Sequence, residues 1–415
     1  MRVEMEKSTL KGVVSAPPSK SYLIRALILS AFSNSRTELL FGGEVGEDVS
    51  AAVGAIRALG AEVIKTEKGY EVISAAQLPT SAKLFVGESA TLLRLITPLL
   101  GALGIAAEIE ATGSLRERPI SGLTDILEKH GLKFRSKGFP LCFSGRLEAG
   151  GYHIEDYGTS GVVSGLLTAL PLLDKSSGIT VDLDKINKGY VDITLDILSA
   201  FGVETRRIEK GFRTASRAVF GRGNYEIEGD WSSSVVWLAA GAMCGGIAVK
   251  GLNARSLQPD RRALDILIRA GAETELADGF VKVEKGALKA VDFDGGNMLD
   301  AIPVLAVVLA AADGVSRITN LKNLKIKESD RLKKTAELLS FLSIKCDVSD
   351  DSLTIYGGAL KPKRKSYTPP CDHRIIEAAA IAAAYCGFNV KNAEYTAKSY
   401  PSFFGDLKAL GGNLL

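Results

Sequence analysis

Two kinds of apolar segment alternate along the chain. The first is apolar on almost every side: SYLIRALILSAF, SATLLRLITPLLGAL, SGVVSGLLTALPLL, SSVVWLAAGAMCG, DAIPVLAVVLAAA and DHRIIEAAAIAAAYCG. A helix of that kind belongs inside a large core. The second carries a single apolar stripe and stops at a small residue: AIRALGAEVI, ILEKHGLKF, ILSAFGVET, ILIRAGAETEL, LLSFLSIKC and LKALGGNL. The stop is Gly60, Gly131, Gly202, Gly271 and Gly411, where glycine takes the left-handed conformation that ends a helix. Ser343 stands at the same point of the fifth segment, where a different cap is expected. Both series recur every 68 to 72 residues. Short alternating runs (Tyr70–Ser74, Lys83–Val86, Ile179–Leu183, Val281–Val283, Leu353–Tyr356) supply strands. The pattern predicts an α/β protein of six units of about 70 residues, each with a buried helix, an amphipathic helix and short strands.

Six units exceed what one core holds, so they divide three and three. Residues 15–229 are expected to form one domain, and residues 1–14 with 230–415 the other. The chain would cross at Pro17-Pro18 and near Gly229-Asp230, with the N-terminal strand joining units four to six.

Composition narrows the class. Of 415 residues, 51 are Lys or Arg and 48 are Asp or Glu, a net charge of +3. A nucleic-acid partner is not expected on that balance, and Lys361–Lys365 reads as a solvated hairpin tip. Five scattered cysteines, no CxxC pair and three histidines give neither a disulfide framework nor a metal site. Cys371, beside Asp372 and His373, reads as packing. The longest apolar run, Ala301–Ala312, is short of the roughly 20 residues that span a bilayer. With no apolar leader after Met1, a cytoplasmic location is expected.

Chemistry gathers where the buried helices start. Ser21, Ser89, Ser160, Ser232, Asp300 and Asp372 open them, all good N-cap types, and free N–H groups there attract anions. Beside these stand Lys20 and Arg25, Glu88 and Arg94, Thr159 and Gly161, and His373-Arg374. Three starts from each half facing a common cleft would suit a substrate with two separated anionic groups. Two further polar strings are Arg116-Glu117-Arg118-Pro119 and Lys327-Glu328-Ser329-Asp330-Arg331.

These strings carry a resemblance. PPSKSYLIRAL, GESATLLRL, GSLRERPI, GYVDITLDIL, EGDWSSS, MLDAIPVLAV, NLKIKESDRL, DHRIIEAAA and TAKSYPSFF occur in an order and spacing similar to the 5-enolpyruvylshikimate-3-phosphate synthase family, essentially end to end. The resemblance implies the two-domain enolpyruvyl-transferase fold with its active site in the cleft. It implies transfer of the carboxyvinyl group of phosphoenolpyruvate to the 5-hydroxyl of shikimate 3-phosphate, without a metal or cofactor, by a monomer with small-molecule partners. Carried over residue by residue, Lys20, Ser21, Arg25, Thr159, Ser160, Asn187, Asp300 and Lys327 would hold shikimate 3-phosphate. Lys20, Ala90, Thr91, Arg118, Arg331, Arg374 and Lys398 would hold phosphoenolpyruvate. Asp300 would take the hydroxyl proton, Glu328 would exchange the carbon-3 proton, and Lys20 and Lys398 complete the catalytic set. The bland readings are N-capping for Ser21, Ser160 and Asp300, and an ion pair with Arg331 for Glu328. A UDP-N-acetylglucosamine enolpyruvyl transferase and a non-catalytic phosphosugar-binding module of the same fold are the alternatives. The first uses a loop cysteine that the RERP loop lacks; the second need not keep Asp300, Glu328 and Lys398. Three positions depart from the family: Gly161 stands where it has Gln, Asn187 where it has Ser, and Ala90 where it has Gly.

Overall fold

Each repeat is assembled by one device, clearest in the second. Strand Ser81–Phe85 leads into the buried helix Ala90–Leu103, and the chain returns as Ala106–Glu110, parallel to the first strand, with Ser81 opposite Ala106 and Phe85 opposite Glu110. The amphipathic helix Ser121–Lys129 follows, then a hairpin of Leu132–Ser136 and Leu141–Gly145 that adds two antiparallel strands. Among the described residues, five four-stranded sheets share this order, and a sixth has three strands. The computed structural model describes residues 1–155, 160–277 and 279–414.

Strands borrowed from far along the chain close the set. Asn224–Glu226 lies parallel to Thr37–Leu40 and completes the first sheet. Leu10–Ser15 lies parallel to Gly245–Lys250 and completes the fourth, while Arg2–Val3 pairs antiparallel with Asn389–Lys391 in the sixth. The chain divides into two compact units. One comprises Met1–Pro18, Gly43–Gly46 and Glu228–Leu415; the other comprises Ser19–Gly42 and Glu47–Ile227. In the first, helices Trp231–Cys244, Ile302–Ala310 and His373–Cys386 form the core, and all nine residues of Ile302–Ala310 are buried. In the second, Lys20–Ala31, Ala90–Leu103 and Ser160–Ala169 do the same. No helix among the described residues is long and apolar enough to cross a membrane.

Several local expectations are corrected. Ser343 keeps the same left-handed cap as the five glycines, at φ 63°, and its hydroxyl donates to the Lys361 carbonyl at 2.8 Å. That hydrogen bond helps serine occupy a conformation that costs most side chains about 1–2 kcal/mol. N-capping by Ser21, Ser232 and Asp300 does not occur. The caps there are Ser19, Asp230 and Ala301. Ser89 and Asp372 do cap, accepting from the Leu92 and Arg374 N–H groups. Cys371 is exposed rather than packed. Lys361–Lys365 is a mostly exposed connection between strands Leu353–Tyr356 and Ser366–Tyr367, not a hairpin tip.

Candidate functional site

In the unit that holds the C-terminal half, the charged strings converge on one guanidinium. Arg331 is the first residue of helix Arg331–Phe341, whose cap Asp330 accepts from the Lys333 N–H at 3.0 Å. Its Nε donates to Asp372 Oδ2 at 2.9 Å, its Nη1 to Asp300 Oδ1 at 2.6 Å and its Nη2 to Glu328 Oε2 at 2.6 Å. The planar fork serves three carboxylates from three backbone elements at once in a fixed geometry. Lys327 Nζ stands 3.2 Å from Asp300 Oδ1, and Lys398 Nζ stands 3.3 Å from Glu328 Oε1. Ser329 Oγ donates to Asp372 at 2.9 Å.

Burial separates frame from working groups. The Arg331 and Asp372 side chains are 1% and 0% exposed, whereas Asp300 is 18% and Glu328 11% exposed. The two carboxylates assigned to proton chemistry are therefore the accessible ends of a buried frame. Burial alone would raise the Asp300 carboxyl, but the charges of Lys327, Arg331 and Arg374 outweigh it and hold it well below the usual carboxylate range. Arg331 is likewise shifted upward, because Asp372, Glu328 and Asp300 outweigh its burial. The Glu328–Arg331 ion pair is present, and Glu328 is also shared with Lys398. Arg374 is buried in the first turn of His373–Cys386; its Nη1 donates to the Ser232 carbonyl and to Glu377 Oε2, each at 2.9 Å.

In the other unit, Lys20 and Ser21 are the first residues of Lys20–Ala31, and Lys20 Nζ pairs with the buried carboxylate of Asp48 at 3.0 Å. Arg25 lies one turn on and is buried. Its Nε donates to Thr194 Oγ1 at 2.8 Å, its Nη1 to the Ser21 carbonyl at 2.8 Å, and its Nη2 to Ser164 Oγ and the Tyr190 carbonyl at 3.4 and 3.3 Å. All four acceptors are neutral. Burial without a carboxylate pulls the Arg25 guanidinium down to about 10. A buried cation held, among the described residues, by neutral dipoles alone is suited to an anion that arrives from outside.

The remaining described candidates of this unit lie at helix starts or on the RERP loop. Ser160 begins helix Ser160–Ala169, Asn187 is the N-cap residue of Lys188–Ala200, and Thr159 lies outside the described residues. The RERP loop is tied to the second helix start: the Thr112 N–H donates to the Gly87 carbonyl at 2.9 Å, and Ser114 Oγ to Glu88 Oε2 at 3.2 Å. Half-buried Arg118 and the helix start at Ala90-Thr91 therefore sit on segments tethered to each other. The Ala90 N–H donates to the Glu88 carbonyl at 3.1 Å. At Gly161 the Arg94 side chain takes the room a larger residue would need: a Cβ there would stand 2.6 Å from Arg94 Cδ.

Four contributors escaped sequence reasoning: Asp48, Thr194, Ser164 and Gly46. A Cβ on Gly46 would stand 2.5 Å from the Lys398 carbonyl oxygen, so glycine lets the two backbones meet. None has a signal beyond its residue type, because each is defined by a partner far away in the chain. Among the described residues, no three His, Cys, Asp or Glu side chains are grouped to hold a metal ion.

The model of the family described as EPSP synthase (3-phosphoshikimate 1-carboxyvinyltransferase) matches residues 5–407. A 3-phosphoshikimate 1-carboxyvinyltransferase of Clostridium kluyveri is 33% identical over 429 aligned positions, covering 99% of this chain and 98% of the relative. One from Thermococcus kodakarensis is 35% identical, covering 97% and 98%. Among solved structures, EPSP synthase from Acinetobacter baumannii superposes with a TM-score of 0.82 at 21% identity, covering 100% of this chain and 99% of that one. The enolpyruvyl transferase NikO from Streptomyces tendae gives 0.80 at 18% identity, covering 100% and 98%. At these identities the structural matches establish the fold, and the sequence matches establish the lineage: the chain belongs to the EPSP synthase (3-phosphoshikimate 1-carboxyvinyltransferase) family.

Proposed function

We propose that this chain transfers the enolpyruvyl group of phosphoenolpyruvate to the 5-hydroxyl of shikimate 3-phosphate, with release of phosphate, as a step of aromatic amino-acid biosynthesis. The observation that carries the residue assignment is the Asp300–Arg331–Glu328–Lys398 array, which presents two partly exposed carboxylates beside two cations. The 5-oxygen bonds to carbon-2 of phosphoenolpyruvate as carbon-3 gains a proton. The adduct then loses phosphate from carbon-2 and a proton from carbon-3, restoring the double bond.

Asp300 is the base for the 5-hydroxyl. Lys327 and Arg331 keep it ionised and ready to accept at neutral pH. Glu328 and Lys398, 3.3 Å apart, exchange the carbon-3 proton. Arg25 with Ser21, Thr159, Ser160, Asn187 and Lys327 binds shikimate 3-phosphate; its four neutral partners leave its charge for the phosphate. Arg118, Arg331, Arg374, Lys398, Lys20 and the helix start at Ala90-Thr91 receive phosphoenolpyruvate. Arg331, already shared among three carboxylates, acts mainly by fixing Asp300 and Glu328. The reading includes a cytoplasmic monomer whose partners are these two small molecules and not nucleic acid or membrane.

The test is phosphate release from phosphoenolpyruvate with and without shikimate 3-phosphate. Release only when both are present is expected. Release with UDP-N-acetylglucosamine instead, or with neither acceptor, would overturn the reading.

A further inference from the structure

Behind Arg374 lies a buried connection with no part in the scheme above. Asp260 belongs to the short turn Pro259–Arg262 and is 1% exposed. Its Oδ2 accepts a hydrogen bond from Ser232 Oγ, while its Oδ1 has no partner among the described residues. Ser232 lies in the first turn of helix Trp231–Cys244, and its backbone carbonyl accepts from Arg374 Nη1 at 2.9 Å. The same Nη1 meets Glu377 Oε2 at 2.9 Å, and the Arg374 Nε has no partner among the described residues. The guanidinium is thus held from two sides. One is a direct salt bridge; the other is a carbonyl on a residue whose hydroxyl is anchored to Asp260.

We propose that Asp260 is a positioning residue for phosphoenolpyruvate, acting through Ser232 on Arg374. The inference rests on Arg374 being a phosphoenolpyruvate ligand. It assigns a task to a buried carboxyl that neither charge balance nor capping explains, since Asp230 caps this helix.

The charges around Asp260 give the arrangement a pH dependence. Asp300, Lys327 and Arg374 face it from three neighbouring elements, Ser232 from a fourth, and Arg261 and Arg262 flank it on its own turn. Burial first, and the Asp300 charge second, raise its carboxyl to about 7, against the opposing effects of Ser232, Arg374 and Lys327. Asp300 stays ionised over the same range. Two neighbouring carboxyls whose surroundings drive them apart are a recurrent device of acid–base sites. When Asp260 is neutral, Arg374 is opposed by fewer anions and attracts phosphoenolpyruvate strongly. When it ionises, a further anion joins Glu377 and Asp300 around the same guanidinium. The KM for phosphoenolpyruvate should therefore rise as pH passes about 7, by at most tenfold per pH unit for a single proton.

Steady-state kinetics from pH 5.5 to 9 test this on the full chain and on two variants. Asp260→Asn, locked neutral, should lose the rise in KM for phosphoenolpyruvate while the KM for shikimate 3-phosphate changes little. Ser232→Ala removes both the hydrogen bond that favours the ionised form and the link by which Asp260 acts on Arg374, so its rise should shrink and move to higher pH. This second variant decides the matter if Asp260→Asn fails to fold. A rise of KM that is unchanged in Asp260→Asn, or that Ser232→Ala leaves in place or moves downward, overturns the inference. A uniform loss of kcat at every pH with an unaltered profile also overturns it and marks a purely structural role. Absence of turnover in the unmodified enzyme overturns the functional reading, and this inference with it.

Discussion

Asp300 Oδ1 accepts from Arg331 Nη1 at 2.6 Å, and the same oxygen faces Lys327 Nζ at 3.2 Å. One carboxylate oxygen thus carries two cations, which leaves Oδ2 as the natural acceptor for a substrate proton. Asp300→Asn keeps the size and one acceptor but cannot take a proton at working pH. Turnover should fall by roughly a hundred- to ten-thousandfold, with shikimate 3-phosphate binding largely kept. The wild type should also show an acid-side loss that the variant lacks. A carboxyl held low in the folded state stabilises the fold above its unfolded value near 4, and that contribution disappears as pH falls through the folded value. Single-turnover kinetics, calorimetry of ligand binding and unfolding curves from pH 7 to 3 measure all three.

Glu328→Gln separates the two roles open to Glu328. As an ion-pair residue alone, it would give up its contacts with Arg331 and Lys398 and lose stability, with turnover nearly intact. As the group that exchanges the carbon-3 proton, it should retain both substrates and lose about a hundredfold or more in kcat. Exchange of solvent deuterium into carbon-3 should fall in parallel. Near-normal exchange would return Glu328 to the ion-pair role.

Gly46→Ala tests a backbone contact. The added Cβ would lie 2.5 Å from the Lys398 carbonyl oxygen and 2.8 Å from Ser399 Cα, so the segment bearing Lys398 must shift. Overpacking of this kind typically costs about 1–3 kcal/mol. Because Lys398 reaches Glu328 at 3.3 Å, a shift there should reduce kcat more than the KM for shikimate 3-phosphate. Gly54→Ala, where nothing lies within 4 Å of the new Cβ, is the control and should behave as wild type. Equal effects of the two changes would remove Gly46 from the site.

The repeat was legible because it is written in local chemistry. Wholly apolar helices and terminal glycines recur at a fixed spacing, and each needs only its own segment to be recognised. Ser343 shows the limit: its left-handed conformation depends on a bond to Lys361, eighteen residues on, which no window around it displays. The candidate site divides in the same way. KESDR and DHR announce their charges in single strings, but that Arg331 binds Asp300, Glu328 and Asp372 together depends on three backbone elements meeting. Asp48, Thr194 and Asp260 were illegible for the same reason, since an isolated Asp or Thr in a helix or turn has many ordinary uses. The cap assignments at Ser21 and Asp300 failed because residue type was read without the position where the helix begins.

Arg25 sets stability against binding. It is buried with four neutral acceptors, and desolvation lowers its guanidinium to about 10. A base whose folded value lies below its unfolded one opposes folding while charged, and the penalty is relieved as pH rises through about 10. Arg25→Met removes the buried charge and keeps a long, flexible side chain. The unliganded chain should gain about 1–3 kcal/mol at neutral pH, and the alkaline rise in stability seen in the wild type should be absent from the variant. The same change removes the cation assigned to the substrate phosphate, a charge-assisted contact for which no neutral partner substitutes. Affinity for shikimate 3-phosphate should fall at least a hundredfold, while unsubstituted shikimate, lacking the phosphate, should bind wild type and variant alike. Urea unfolding at pH 7.5 and 10.5 and calorimetry with both compounds give the four measurements. A variant that is destabilised at neutral pH, or that loses shikimate as severely as shikimate 3-phosphate, would make Arg25 a structural residue of helix Lys20–Ala31.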